Sequence, residues 1–145
     1  MILKRILLPT DASQESEESL EYAVSLARDN HAELDILHIE PKFVPMAGYM
    51  PYVVPGEDEG ETLARVQEKI PVPHDVVSHY YMTNGGVVEE IIYFARQNPI
   101  DLIVIGTHGR EGWQRLIRGS LAAEIIRHAP CPVLSVRYGR HPPVN

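Results

Sequence analysis

Short apolar runs alternate with amphipathic helical segments along this chain, and the alternation restricts the fold more than any other feature of the sequence. We interpret five apolar runs as strands, Leu3–Leu8, Leu34–Ile39, Val76–Met82, Ile100–Ile105 and Pro132–Val136. Apolar residues at helical spacing lie between them, clearly over Leu20–Ala27, Val88–Ala95 and Leu121–Ala129, and weakly over Thr62–Lys69. Strands that alternate with helices form βαβ crossovers. The sequence therefore predicts an α/β fold, a doubly wound three-layer sandwich with a mostly parallel sheet.

Prolines and polar residues set the limits of these predicted elements. We expect Pro9 to end the first strand, Asn30 to end the first helix and Pro99 to end the third helix. The stretch 41–74 holds six of the twelve prolines and is the least regular part of the chain. No internal repeat or linker interrupts the pattern, so we expect a single domain over residues 1–145.

A glycine motif follows the fourth predicted strand. Gly106-Thr107-His108-Gly109 is separated by nine residues from Gly119-Ser120, which precedes the last helical pattern. Glycines at a strand end let backbone N–H groups approach a ligand closely. A serine that opens a helix adds a hydroxyl beside free amides and the positive end of the helix dipole. The motif therefore predicts a cradle for an anion, and phosphate is the anion that suits it best.

The distribution of charge agrees with a small anionic ligand. The net charge of −7 argues against a general nucleic-acid binder, whose affinity depends on neutralising phosphates. Residues 1–105 carry seven basic and eighteen acidic side chains, whereas residues 106–145 carry six arginines and two glutamates. The positive part of the chain therefore coincides with the glycine motif.

Composition also bears on compartment and metal content. The apolar runs are too short to cross a bilayer, and the first residues do not have the pattern of a signal peptide. The single cysteine, Cys131, excludes an internal disulfide and fits a reducing compartment, so we expect a cytoplasmic protein. The sequence has neither an H-E-x-x-H motif nor paired Cys/His residues at metal-ligand spacing, so we expect no metal site formed by protein side chains alone. A Mg or Mn ion would arrive with a nucleotide and be bound by its phosphates and water.

Two familiar phosphate-binding motifs are absent, since there is no G-x-x-x-x-G-K-[ST] and no G-x-G-x-x-G after the first strand. The first turn, Pro9-Thr10-Asp11, lacks glycine, and the glycine motif follows the fourth strand instead. This arrangement resembles the universal stress protein family. The resemblance covers nearly the whole chain and rests on Arg5–Asp11, Leu37-His38-Ile39, Ile105–Arg110, Gly119-Ser120 and Ala129–Val136.

The resemblance implies a Rossmann-like sheet of five parallel strands in the order 3-2-1-4-5, and a homodimer joined through the last strand, Pro132–Val136. For the branch with the complete glycine motif it also implies binding of ATP, with ADP or AMP as alternatives. Pro9, Thr10 and Asp11 would line the adenosine end, and the backbone of Ile39 would read the adenine edge. The phosphates would be held by Gly106, Thr107, His108, Gly109 and Arg110, with Gly119, Ser120 and Leu121 closing the far side.

The function expected on this basis is that of an ATP-binding regulatory or interaction module in stress adaptation. Two alternatives stay open. One is slow ATP hydrolysis or phosphoryl transfer, for which no clear water-activating base lies near Gly119-Ser120, so no catalytic residue is assigned. The other is a nucleotide-free dimerisation module, in which the glycines serve only a tight turn, Ser120 is a helix N-cap and Asp11 is a turn residue.

Overall fold

The computed structural model describes residues 1–10, 16–41, 59–106 and 120–136, and in them strands and helices alternate. The strands are β1 (Arg5–Thr10), β2 (Glu33–Pro41), β3 (Ser78–Gly85), β4 (Leu102–Gly106) and β5 (Val133–Val136). The helices are α1 (Ser16–Asn30), α2 (Glu59–Lys69), α3 (Val87–Gln97) and α4 (Ser120–His128). All neighbouring strands are parallel, in the order β3-β2-β1-β4-β5. The predicted fold class and strand order are confirmed.

Helices cover both faces of the sheet. Even-numbered residues of β1 and β2, such as Leu8 and Ile36, pack with α1 and α2 on one side, which we call the α1/α2 face. Odd-numbered residues, such as Leu7 and Leu37, pack with α3 and α4 on the other, the α3/α4 face. Both sets of strand side chains are fully buried, which explains why these strands are almost continuously apolar. No helix in the described ranges is long and apolar enough to cross a membrane.

Several element limits differ from those predicted. β1 continues through Pro9 to Thr10, so the expectation that Pro9 ends this strand is wrong. β3 begins at Ser78 rather than Val76, because the backbone N–H of Val76 donates to the carbonyl of Pro73 in a turn. The weakly predicted second helix is longer at its start, and its end at Lys69 is as expected.

Candidate functional site

Pro9 ends the hydrogen-bonded ladder between β1 and β4. The backbone N–H of Asp101 donates to the carbonyl of Arg5 at 2.8 Å, so the odd-numbered residues of β1 present their backbone groups to β4. The register pairs between the two strands end at Leu7↔Ile103. Pro9 is the next odd-numbered residue and has no N–H to donate. The ladder therefore covers only the amino-terminal part of this strand pair. The carboxyl ends of β1 and β4 form the switch in strand order, where open α/β sheets bind their ligands.

Thr10 of β1 and Ile39 of β2 bring a buried hydroxyl and a backbone carbonyl to this edge. Thr10 is fully buried and is paired with His38 in the last β1–β2 register position. Continuing the β1–β4 register by the same offset brings Thr10 level with Gly106. Odd-numbered residues of β2 present their backbone to β1, as Glu33 does. Because Ile39 follows the last register pair, its carbonyl is directed beyond the last paired residue of β1.

The start of α3 at the same edge is closed by its own carboxylates. Glu90 accepts a hydrogen bond from the Thr83 hydroxyl at 2.8 Å. A Cβ atom built on Gly85 would lie 2.7 Å from Oε1 of Glu90, and one built on Gly86 would clash with Glu89. Gly85 has a φ of +152°, which favours glycine. These contacts place two negative charges at the amino end of α3, so an anionic ligand has no place there.

The start of α4 has no such carboxylates. Its first four residues are Ser-Leu-Ala-Ala, and the first turn contains no acidic residue. The only acidic residue of the helix, Glu124, forms ion pairs with Arg127 at 3.2 Å and His128 at 3.3 Å, toward the other end. Because α4 follows β4 and leads back to a parallel strand, it starts at the carboxyl edge of the sheet. The positive end of its dipole therefore lies at this edge with no carboxylate from the first turn of α4 itself to oppose it.

Buried polar side chains are concentrated at this end of the α1/α2 face. In the described part of the chain the buried polar or charged residues are Thr10, Ser19, Asp35, His38 and Thr62. Thr10 ends β1 on this face, and His38 lies opposite it on β2, before that strand ends at Pro41. Ser19 and Thr62 lie in the first turns of α1 and α2, which start at the carboxyl edge. The α3/α4 face, by contrast, ends in the buried apolar residues Ile39 and Ile105 at the carboxyl edge, and its buried Asp35 lies toward the opposite edge.

His38 and Glu40 form a hydrogen-bonded pair within this polar region. Nε2 of His38 lies 2.7 Å from Oε1 of Glu40, and the imidazole is only 7% exposed while the carboxylate is half exposed. Nδ1 of His38 is buried and has no hydrogen-bond partner among the residues that the structure describes. This pair was not predicted from the sequence. The signal that could have found it is the replacement, at the third even-numbered position of β2, of the aliphatic side chains Leu34 and Ile36 by a histidine.

Most polar groups at the opposite, amino-terminal edge are paired with one another, although the buried Oδ1 of Asp35 has no hydrogen-bond partner among the described residues. The carboxylate of Asp101 accepts the backbone N–H groups of Lys4 and Arg5 at 2.8 and 3.0 Å. Nε of Arg5 donates to the fully buried Asp35 at 2.6 Å, and the other end of its guanidinium donates to the Tyr81 hydroxyl. Burial raises the pKa of Asp35 above its usual value, although the hydrogen bond from Arg5 acts in the opposite direction. These contacts join β1, β2, β3 and the start of β4, and we interpret this edge as structural.

Half of the predicted nucleotide positions fall in the described residues, and all of these lie at the carboxyl edge. They are Pro9, Thr10, Ile39, Gly106, Ser120 and Leu121. The side chain of Ile39 is fully buried on the α3/α4 face, which leaves its backbone as the group that a ligand could meet. The other six predicted positions lie outside the described residues: Asp11, Thr107, His108, Gly109, Arg110 and Gly119.

Comparison with known proteins extends over almost the entire chain. The family model described as "Universal stress protein family" matches residues 3–137. A universal stress protein of Methanocaldococcus jannaschii is 32% identical over 141 residues, which cover 94% of this chain and 83% of that protein. Universal stress protein A homolog 1 of Coxiella burnetii is 35% identical over 144 residues, covering 94% of this chain and 97% of that protein.

Solved structures with the same fold include proteins bound to nucleotides. A universal stress protein in complex with cAMP superposes with a TM-score of 0.66 at 20% identity, covering 94% of this chain and 98% of that one. The universal stress protein of Archaeoglobus fulgidus in complex with dAMP gives a TM-score of 0.57 at 24% identity, covering 93% and 98%. At such low sequence identities these structures support the fold alone. The family assignment rests on the match of the family model and on the sequence relatives. The chain belongs to the universal stress protein family.

Proposed function

We propose that this protein binds an adenine nucleotide, with ATP as the preferred ligand, at the carboxyl edge between β1 and β4, and that the bound state regulates its interactions in stress adaptation. The observation that carries the proposal is the contrast at this edge between two helix starts. α3 is closed by Glu89 and Glu90, whereas α4 begins without an acidic residue directly after the glycine motif. A helix start of the second kind stabilises phosphate through its free N–H groups and its dipole.

The strand ends support a nucleoside at the other end of the ligand. The carbonyl of Ile39 is directed beyond the last pair of β1 and β2, where it can accept a hydrogen bond from the adenine amino group. Because Pro9 has no N–H, it donates no ladder hydrogen bond to β4 in the carboxyl part of this strand pair. The carboxylate of Asp11, the next residue after β1, is the proposed acceptor for the ribose hydroxyls.

The phosphate end is proposed from the sequence of the glycine motif together with the placement of its two flanks. Gly106 ends β4 and Ser120 begins α4, so the motif joins the strand end to the open helix start. Backbone amides of residues 106–109 and 119–121 would surround the phosphates, and Arg110 would add a charge-assisted contact. A divalent cation would be carried by the nucleotide.

Family members of known structure support the class of ligand. Two of the solved proteins hold adenine nucleotides, cAMP in one and dAMP in the other. These ligands share the adenine, a sugar and a single phosphate. We therefore expect the adenosine half of the site to account for most of the selectivity, and the glycine motif to extend it to the longer phosphate chain of ATP.

A homodimer through β5 is the second part of the proposal. β5 is the outermost strand on its side of the sheet, and a bare strand edge is prone to pairing. α4 packs against β5 and carries Ile126, an aliphatic side chain that is 55% exposed. Native mass spectrometry of the purified protein tests this directly, since it reports subunit stoichiometry and retained nucleotide together. A monomeric mass at micromolar concentration would contradict the dimer.

Calorimetric titration with ATP and Mg²⁺ tests the nucleotide proposal. We expect saturable binding by the wild-type protein and none by Gly109→Val, because a side chain at that position would occupy the space of the phosphates. Thermal unfolding of both proteins without ligand is the folding control. Absence of saturable binding by folded wild-type protein at millimolar ATP would refute the proposal and favour a nucleotide-free dimerisation module. Normal binding by Gly109→Val would place the phosphates elsewhere.

A further inference from the structure

We infer that Nδ1 of His38 accepts a hydrogen bond from the amino group of the bound purine base, so that the His38–Glu40 pair selects 6-aminopurine over 6-oxopurine nucleotides. This inference rests on the proposed nucleotide function and adds a specificity-determining residue to it. The observation behind it is the buried Nδ1 atom, which lacks a partner in the described part of the chain although the opposite ring nitrogen is hydrogen-bonded.

The partner of Nε2 determines the chemistry of Nδ1. Glu40 is half exposed, and an ionised carboxylate can only accept hydrogen bonds, so the proton in the 2.7 Å contact is on Nε2 of His38. When the ring is neutral, this places its lone pair on Nδ1. The pair therefore presents a hydrogen-bond acceptor whose tautomer is fixed by a neighbouring carboxylate, in the manner of histidines that are oriented for binding.

An acceptor without a partner is unusual inside a protein. Buried polar groups are nearly always hydrogen-bonded, and leaving one unpaired is unfavourable. The other buried polar residues of this region do not share the deficit, because Thr10, Ser19 and Thr62 each have an interaction partner. A ligand that supplies a donor to Nδ1 would remove the deficit, and this gives the ligand a favourable interaction that the free protein lacks.

The position of His38 indicates which part of a nucleotide it would meet. Its side chain lies beside Thr10, level with the carboxyl ends of β1 and β4, and on β2 it directly precedes Ile39. Phosphate oxygens offer no donor at neutral pH, and the proposed contact of the ribose is with Asp11. The base, which we place at the end of β2, is the remaining part that carries a donor.

The nearby charge favours an amino group over a carbonyl. Glu40 contributes a negative charge next to the ring, and the lone pair of Nδ1 has the same polarity as the oxygen of a 6-oxopurine. A 6-oxopurine would leave Nδ1 unpaired and bring two acceptors together. Sites built around a hydrogen bond reject the analogue that lacks the matching donor strongly, because the buried group is left without a partner.

Two amide substitutions separate the roles of the two ring nitrogens. In His38→Asn the amide oxygen can occupy the place of Nδ1, whereas in His38→Gln the amide reaches toward Glu40 and leaves the place of Nδ1 empty. We expect His38→Asn to keep most of the affinity for ATP. We expect His38→Gln to lose it about tenfold, with little change in the affinity for inosine triphosphate, the 6-oxo analogue. Titration calorimetry with both nucleotides measures the ratio.

A second variant and a spectroscopic measurement keep the test independent of folding defects. Glu40→Gln alters a half-exposed side chain, and its amide can either accept from or donate to Nε2, so it no longer fixes the tautomer. We expect it to lower the preference for ATP over inosine triphosphate. In the wild-type protein, the ¹⁵N resonance of Nδ1 should shift on addition of ATP and not on addition of inosine triphosphate.

The outcomes distinguish this inference from the function on which it rests. If wild-type protein binds neither nucleotide, the proposed function fails. If it binds ATP but His38→Gln and His38→Asn keep the wild-type ratio of affinities, the inference alone is overturned and the partner of Nδ1 is water or another part of the chain. An unchanged Nδ1 resonance on saturation with ATP would overturn it in the same way.

Discussion

The amino-terminal and carboxyl edges of the sheet differ in how their polar groups are paired. At the amino-terminal edge, Asp101 accepts two backbone N–H groups and Arg5 is shared between Asp35 and Tyr81. Each edge holds one buried atom without a partner among the described residues, Oδ1 of Asp35 at the amino-terminal edge and Nδ1 of His38 at the carboxyl edge, but only at the carboxyl edge does a helix, α4, start without an acidic residue. The ion pair and the accepted backbone N–H groups lead us to interpret the amino-terminal edge as structural, and we propose the carboxyl edge, where α4 starts, as the binding edge.

The carboxyl edge is itself divided. α3 and α4 both start there and pack against each other on the same face of the sheet. Among the described residues, only α3 has carboxylates against its own amino end, those of Glu89 and Glu90. We therefore expect the two helices to differ in their capacity for anions because of the charges of a single turn.

Removal of the buried carboxylate at the structural edge should have the largest effect on stability. Asp35→Ala leaves Arg5, which is 22% exposed, without its main partner, and we expect a loss of about 2–3 kcal/mol in the free energy of unfolding. Asp35→Asn is the matched control, since its amide oxygen can still accept from Arg5. Urea denaturation measures both. The affinity of the folded variants for ATP should stay at the wild-type level, and a large loss of affinity would break the separation of the two edges.

The same pair gives a pH dependence with a defined sign. Burial raises the pKa of folded Asp35 above the ordinary 3.8, so the folded protein holds this proton more tightly than the unfolded chain does. The resulting stabilisation is complete below the unfolded pKa and is lost as the pH rises through the folded pKa. The stability of wild-type protein relative to Asp35→Asn should therefore fall as the pH rises above 3.8. A constant difference across this range would mean that the carboxyl pKa is not raised.

Adding a carboxylate to the open helix start should change binding and leave stability intact. Ala123 is exposed in the first residues of α4, and Ala123→Glu would place there the charge that α3 already carries. We expect the affinity for ATP to fall about tenfold, or 1.4 kcal/mol, through repulsion of the phosphates. Ala123→Gln has nearly the same shape without the charge and should bind normally. Equal affinities of the two variants at low salt would contradict the assignment of α4 as the phosphate-binding helix.

Asp101 offers a smaller test of the structural edge. Its carboxylate accepts the N–H groups of Lys4 and Arg5, and Asp101→Ala should lower the free energy of unfolding by about 1 kcal/mol. In Asp101→Asn the side-chain oxygen is kept, so the loss should be smaller. Chemical denaturation of the three proteins gives the order. A destabilisation by Asp101→Asn equal to that of Asp101→Ala would indicate that charge, and not the accepted hydrogen bonds, is responsible.

The smallest expected effect comes from the closed helix start. Glu90→Gln keeps a side chain that can accept from Thr83 but removes a negative charge near the amino end of α3, and we expect a loss of about 0.5 kcal/mol of stability. Its affinity for ATP should not change, in contrast to the effect of Ala123→Glu on α4. A rise in the affinity for ATP on this substitution would mean that α3 also contributes to the site.

The sequence was sufficient for the layers of the fold, because apolar runs and helical stripes are local patterns. It was not sufficient to predict the effect of Pro9. A proline interrupts strand pairing only where the missing N–H would have donated a ladder bond. That depends on which neighbouring strand the backbone faces, and at Pro9 this strand is β4, beyond the pair Leu7↔Ile103. The start of β3 was misplaced for a related reason, since the turn bond from Val76 to Pro73 replaces a ladder bond.

The candidate site divides in the same way. The glycine motif predicts an anion site from the sequence, because glycines and a serine at a strand-to-helix junction can present backbone N–H groups to a ligand, but most of the motif lies outside the described residues. The pair of His38 and Glu40 could not be predicted, because whether a buried ring nitrogen has a hydrogen-bond partner depends on all the elements that surround it. The acidic residues at the start of α3 are visible in the sequence, but their effect on anion binding could be interpreted only by comparison with α4 at the same edge.

Pro9 has one more consequence, for the cohesion of the molecule. The sheet consists of a three-stranded group, β3-β2-β1, and a two-stranded group, β4-β5, joined along one seam. Because the β1–β4 ladder on that seam stops short of Pro9, thermal fraying should begin at the end of the seam that lies at the carboxyl edge of the sheet. A nucleotide that touches both groups there would act as a clamp across the seam, so ligand binding and resistance to separation of the two groups should rise together.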